Sequence, residues 1–413
     1  MGYTKETVKG MSWLGISRLF IRLIAFGRIA VIARMLTPAQ LGVFGVASLV
    51  LTFTEIITET GINIVLLQEK NNINRYINTA WIISITRGIL ISFVIFFSAP
   101  FVAAFFSAPD ATLLLRLISL VPFIRGFINP SIILFHKNLR FDYEFYYRTA
   151  LYFTDSLLAV ILTIIFKSPV GIVGGFIGGV VLEVILSFIV VKPTPSLQFH
   201  KSIFRYIVHK GKWVTAAGVF NYLFENGDDI VIGKILGTTA LGLYDTAYRI
   251  SMLPITEVSD VVAKVTLPIY VKIVDNKKRL LRGFIKAVAL TSILLLPVGF
   301  IFFFFPKEII RIVLGPQWVM AAPILQVLGI YGILRAIVLG TTQPLFYAVK
   351  KQDIVMKINI LSFGVLIISI FFLIQKFGLL GAAYSPFIAT VFSIPYVAYS
   401  VFSVLRHSPS RKK

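Results

Sequence analysis

Charged side chains interrupt the long apolar stretches of this chain at spacings that gather several of them on shared helical faces. Residues three or four apart in a helix lie on one side. Arg18 and Arg22 meet this condition, while Arg87, Arg125 and Arg335 stand singly inside apolar runs. Among the acids, Glu55 and Glu59 share a stripe with Ser48, Thr52 and Asn63, and Glu225, Asp228 and Asp229 form a second group. An ionised side chain at the centre of a bilayer costs about 2.5–3.5 kcal/mol even on the lenient insertion scale. Groups retained at that cost should face an interior. A guanidinium is planar, always charged and able to donate two parallel hydrogen bonds, which suits neighbouring phosphate oxygens. Arg18, Arg22, Arg87, Arg125 and Arg335 are therefore candidates to bind a diphosphate. Membrane-embedded carboxylates exchange protons or hold Na+, so Glu225, Asp228, Asp229, Glu55 and Glu59 are candidates for ion coupling. The alternative is that arginines and acids neutralise one another and hold helices together. That reading is favoured for Asp245 with Arg249, four residues apart, and for Arg28 and Arg116 near span ends. Cysteine is absent and only four histidines occur, which removes disulfides, thiolate nucleophiles and Cys-based metal sites. No catalytic residue, metal site or resident cofactor is expected beyond Na+ or H+ coupling.

The elements that position these groups follow from hydropathy. The chain is 57% hydrophobic and 14% charged, against about 45–50% and about 25% in soluble domains. Apolar runs give about twelve spans, near 11–33, 40–64, 78–106, 111–134, 147–166, 169–191, 213–236, 241–263, 283–305, 319–347, 354–375 and 379–405. The fold class is all-α and polytopic. The first span reads as retained, because Arg18, Arg22 and Arg28 break its apolar run and no small-residue cleavage site follows. With both termini cytoplasmic, basic residues favour the inside segments by more than three to one, as the positive-inside rule demands. The net charge of +22 is thereby explained without a nucleic-acid partner. In the connection 192–212, Phe199, Ile203, Tyr206 and Ile207 fall on one face, which predicts a short interfacial helix. Gly171, Gly175 and Gly179, with Gly174 and Gly178, make small-xxx-small patterns that permit close helix contact.

The chain also repeats itself. ARMLTPAQLGVFGVA from Ala33 aligns without gaps with GKILGTTALGLYDTA from Gly233, pairing Leu36 with Leu236, Leu41 with Leu241, Gly42 with Gly242 and Ala47 with Ala247. Farther out, Trp13 pairs with Trp213 and Leu67 with Leu267. Six spans separate equivalent positions, so the halves share one orientation, as in parallel-repeat transporters. The expected organisation is an N-terminal six-helix bundle over 1–191, a cytoplasmic linker over 192–212, and a C-terminal six-helix bundle over 213–413, with a central cavity between them.

Leu36-Thr37-Pro38 followed by Gly42 and Gly45, then GINIVLLQ from Gly61 to Gln68, then HKNLRF from His136 to Phe141, resemble in order and spacing the Wzx-type polysaccharide flippases of the multidrug/oligosaccharidyl-lipid/polysaccharide exporter superfamily. The resemblance implies two six-helix bundles that export polyprenyl-diphosphate-linked oligosaccharides by alternating access, driven by a proton or sodium gradient, for cell-surface polysaccharide assembly. It implies a cytoplasmic-membrane location and, as partners, a lipid-linked saccharide, membrane lipids, a polysaccharide polymerase and glycosyltransferases. A peptidoglycan-precursor flippase stands close to this reading. A multidrug antiporter of the same superfamily would have a cavity dominated by acids and aromatics, against which the intramembrane arginines argue. A membrane glycosyltransferase or polymerase needs a sizeable extramembrane domain bearing catalytic groups, and no loop here much exceeds about 20 residues.

Overall fold

The computed structural model describes residues 2–58, 62–68 and 73–406. By its contacts the chain divides into two units, Met1–Thr239 and Ala240–Lys413. This boundary falls beyond the expected 192–212 linker.

The first unit opens with α1 (Gly2–Met35) and α2 (Pro38–Ile57). The turn between them is fixed by chemistry visible in the sequence: Thr37 accepts from the Gln40 backbone N–H at 3.3 Å, and the Gln40 side chain accepts from the Thr37 N–H at 2.9 Å. This reciprocal box satisfies helix-end donors, and Pro38 fits the first helical position, where no N–H is needed. After α3 (Ile62–Gln68), the long α4 (Ile73–Phe105) leads to a span broken in two: α5 (Ala111–Ile118) and α6 (Leu120–Arg125), then α7 (Ile133–Lys137), bent by 69°. Asn129 makes the bend possible. It is fully buried, its amide donates to the carbonyls of Ser187, Val191 and Pro193, and its side-chain oxygen accepts from the Ser131 N–H at 2.9 Å. The helix break would otherwise leave buried backbone groups unpaired.

A hairpin follows, α8 (Phe141–Phe166) and α9 (Val170–Val190), turned at Lys167 in the left-handed region with φ 48°. Its register is set by small residues. A Cβ on Gly171 would meet the Thr163 backbone nitrogen at 2.3 Å, one on Gly175 the Ala159 Cβ at 2.5 Å, and one on Gly179 the Asp155 Cβ at 2.9 Å. Pairs that step four residues up one helix and four down the other define close antiparallel packing, as the glycine spacing predicts. Ile32, Leu36, Ala159 and Ile172 bury together, tying α1 to the hairpin. The unit ends with α10 (Lys201–Ile235). The expected interfacial helix and the seventh span are one continuous helix, because nothing between Lys201 and Trp213 stops it. It rests on α2, where the Tyr222 hydroxyl donates to the Leu49 carbonyl at 2.8 Å.

In the second unit, α11 (Gly237–Ile273), α12 (Lys277–Phe304), the amphipathic α13 (Pro306–Val313), α14 (Ala322–Arg335), α15 (Thr341–Ala348) and α16 (Gln352–Arg406) are likewise helical. Between α14 and α15 one turn of wide π-helix covers Ala336–Gly340. The run called α16 is two legs, broken at Gly378 with φ 57°, where the sequence predicts separate spans. Two cores hold the unit, one around Tyr270, Leu280 and Leu345, the other around Phe346, Ile358 and Val397.

Among the described residues, seven helical segments are long and apolar enough to cross a membrane, and the bent span makes eight. The helices α1, α10 and α11 span 34, 35 and 37 residues and are long enough, but carry more charge. With the two legs of α16, these account for the spans expected from hydropathy.

Candidate functional site

Seven acidic or basic side chains of the first unit, Arg28, Arg125, His136, Glu144, Arg148, Asp155 and Glu183, gather where α1, α6, α7, α8 and α9 meet, around a cavity of about 520 Å³. On α8, Glu144, Arg148, Tyr152 and Asp155 follow one another at intervals of four, four and three, so they lie along one face. Phe176, Gly179, Val180 and Glu183 form the facing strip of α9, while α1 contributes Arg28, α6 Arg125 and α7 His136. The glycine seam brings the α8 and α9 backbones together, and Gly179 leaves room for Asp155.

Each arginine of this cavity is engaged by a carboxylate. Arg28 Nη1 donates to Asp155 Oδ2 at 2.7 Å, and the same guanidinium lies 5.4 Å from the Phe176 ring centre. Arg148 Nε donates to Glu144 Oε1 at 2.6 Å, and His136 Nε2 lies 2.9 Å from that oxygen. Arg125 is hydrogen-bonded to the Glu55 carboxylate of α2. The second oxygens, Glu144 Oε2 and Asp155 Oδ1, are buried and accept no hydrogen bond. Tyr147 donates to the Glu183 backbone carbonyl at 3.2 Å. Charge-assisted bonds of this kind are about twice as strong as neutral ones, so the cavity is a stiff polar site whose three arginines are each paired and whose lining also holds Glu183.

Of the arginines expected to bind a diphosphate, only Arg125 lines this cavity. Arg87 lies on α4 and donates to the Thr58 hydroxyl at 3.1 Å and to the Glu55 carbonyl at 2.6 Å. Glu55 thus joins Arg87 and Arg125, two candidate substrate ligands, to a candidate coupling acid. Arg18 and Arg22 are exposed on α1, N-terminal to the cavity. Arg335 belongs to the second unit, at the last residue before the π-helical turn, with Nη1 3.2 Å from the Tyr331 hydroxyl. Glu225, Asp228 and Asp229 lie on α10, where Asp228 is buried and its carboxylate accepts from the Asp229 N–H at 3.1 Å. Glu59 lies outside the described residues. Asp245 and Arg249 form the intrahelical pair that their spacing predicts, at 2.8 Å. Among the described residues, no three His, Asp or Glu side chains gather closely enough to hold a metal ion.

Glu144, His136 and Arg148 are not among the site residues expected from the sequence: the fifth span as read from hydropathy begins at residue 147, which leaves Glu144 and His136 outside it, whereas α8 starts at Phe141. The signal was present: Glu144 and Arg148 are four apart, on the face that continues to Asp155.

Among solved structures, the chain is similar to the lipid II flippase MurJ in an inward closed conformation, with a TM-score of 0.72 at 16% identity over 94% of this chain and 87% of that one. It is also similar to an inward-facing multidrug-resistance transporter of the MATE family, with a TM-score of 0.71 at 14% identity over 97% and 99% of the two chains. These likenesses define the fold, that of an all-α, multi-pass membrane protein. Residues 31–323 match the family described as polysaccharide biosynthesis protein. The teichuronic acid biosynthesis protein TuaB of Bacillus subtilis is 25% identical, over 81% of this chain and 70% of its own length. The lipopolysaccharide biosynthesis protein WzxC of Escherichia coli is 23% identical, over 87% and 73%. The chain belongs to the polysaccharide biosynthesis protein family.

Proposed function

We propose that the protein carries a polyprenyl-diphosphate-linked oligosaccharide from the cytoplasmic to the outer leaflet of the cell membrane by ion-coupled alternating access, for assembly of a surface polysaccharide. The observation that carries this reading is the charged cavity of the first unit, set among its apolar helices and lined by three arginines, three carboxylates and five histidine or aromatic side chains. A polar headgroup crossing hydrocarbon needs such a lining, whereas its isoprenoid tail needs only lipid. The names of the relatives, concerned with teichuronic acid and lipopolysaccharide biosynthesis, support a saccharide cargo. The basic bias of the cytoplasmic segments supports N- and C-termini inside.

The test is translocation of a fluorescent polyprenyl-diphosphate saccharide in proteoliposomes, read by accessibility of the label to a membrane-impermeant quencher. Protein-dependent movement, faster with an imposed proton or sodium gradient, is expected. Turnover of the saccharide by purified protein in detergent would overturn the reading in favour of an enzyme.

A further inference from the structure

The cavity between α1 and α6–α9 has the wrong charge balance for a diphosphate. Arg28, Arg125 and Arg148 are each held by a carboxylate, from Asp155, Glu55 and Glu144. Glu183 then adds a further carboxylate to the lining, near Arg125 and Arg148, which already hold Glu55 and Glu144. A dianion entering here would have to break existing ion pairs and meet like charge.

The hydrogen-bond inventory points the same way. Glu144 is 6% exposed, yet its Oε2 accepts nothing, and neither does the buried Asp155 Oδ1. A carboxylate oxygen is an acceptor, and one buried with no donor is an unmet hydrogen bond. What this cavity lacks is therefore donors. Hydroxyl and ammonium groups supply them. A bare metal ion fits poorly, since among the described residues no three-ligand cluster exists, and a volume of about 520 Å³ is that of a site for a molecule. Tyr147, Tyr152 and Phe176 add ring surfaces to the lining, against which the C–H face of a sugar ring can pack.

We infer that this cavity receives a sugar unit of the transported lipid, and that it selects a neutral or amino-bearing sugar over an acidic one. The inference rests on the flippase reading above. In it, Glu144 and Asp155 accept from sugar hydroxyl or ammonium groups, Glu183 repels a sugar carboxylate, and the diphosphate is held elsewhere.

The experiment compares four fluorescent polyprenyl diphosphates in proteoliposomes: the bare lipid, and lipids bearing a hexose, a hexosamine with a free amine, or a hexuronic acid. The wild-type protein is expected to move the hexose and hexosamine lipids about tenfold faster than the hexuronate lipid, since a sugar carboxylate would meet like charge in the lining. Glu183→Gln is expected to narrow that ratio to about threefold or less by removing the repulsion. That gain on one substrate is not produced by a misfolded variant. Glu144→Gln is expected to lower the rate of the hexose lipid relative to the bare lipid about fivefold. Equal wild-type rates for neutral and acidic lipids, or a ratio untouched by Glu183→Gln, would overturn the inference while leaving the flippase reading intact. Failure of the wild-type protein to move any of the four would overturn both.

Discussion

Gly175 of α9 lies so close to Ala159 of α8 that a Cβ added to the glycine would stand 2.5 Å from the alanine Cβ and 2.7 Å from its backbone nitrogen. Backbone cannot step aside as a flexible side chain can, so this contact sets the spacing of the helices that carry Asp155 and Glu183. Gly175→Val is expected to force the hairpin apart, costing about 1–3 kcal/mol from overpacking, and to lower both melting temperature in detergent and translocation rate. Gly27→Ala is the control, since nothing lies within 4 Å of that position, and it should leave the melting temperature unchanged.

The glycine seam shows how far the sequence reaches. Spacing alone predicts that Gly171, Gly175 and Gly179 line one contact face, and they do. The hydropathy runs predict the spans, including the break that Gly378 makes in α16. The site was less legible. Periodicity tells which residues share a face of one helix, but not which helix stands opposite, so Arg28 and Asp155, 127 residues apart, could each be marked as isolated charges but not paired. For the same reason Arg125 and Glu55 received separate roles, although they form one ion pair. Glu144 was missed for a local reason, since charged and aromatic residues at the start of α8 look like loop to a hydropathy window.

Arg28 and Asp155 are largely buried side chains, 21% and 13% exposed. Removing one partner of such a pair strands a charge in apolar surroundings, at about 3–5 kcal/mol. Arg28→Ala and Asp155→Leu should each destabilise by an amount of this order in thermal or denaturant unfolding. The double variant Arg28→Met with Asp155→Leu should recover most of that loss, because two apolar groups leave no charge unpaired. A double variant as unstable as the singles would show that the pair does not act as a unit.

Asn129 holds the bent span by bonding across the break to α9 and the segment after it. Asn129→Ala removes several donors and acceptors at once from a fully buried position, leaving carbonyls that find no water there. A loss of about 1–3 kcal/mol is expected, together with faster amide exchange at Ile128–Ser131. Asn129→Asp keeps the acceptor for the Ser131 N–H but loses the amide donors to three carbonyls, so it should fall no higher than the alanine variant.

Substrate binding and ion coupling were read into separate residues, and they can be tested separately. Under the proposed function, Arg18→Gln with Arg22→Gln removes two permanent charges from one face of α1. Hydrogen bonds to charged groups contribute about 1.5–3 kcal/mol each, so the rate of diphosphate-lipid translocation should fall at least about tenfold in proteoliposomes, with the melting temperature little changed because both side chains are exposed. Asp228→Asn and Asp229→Asn on α10, with Glu225→Gln, should instead abolish the acceleration by an imposed proton or sodium gradient while slow, uncoupled exchange persists. An undiminished rate in the arginine variant would remove those residues from the diphosphate site. A gradient response that survives all three α10 substitutions would place the coupling carboxylates elsewhere in the chain.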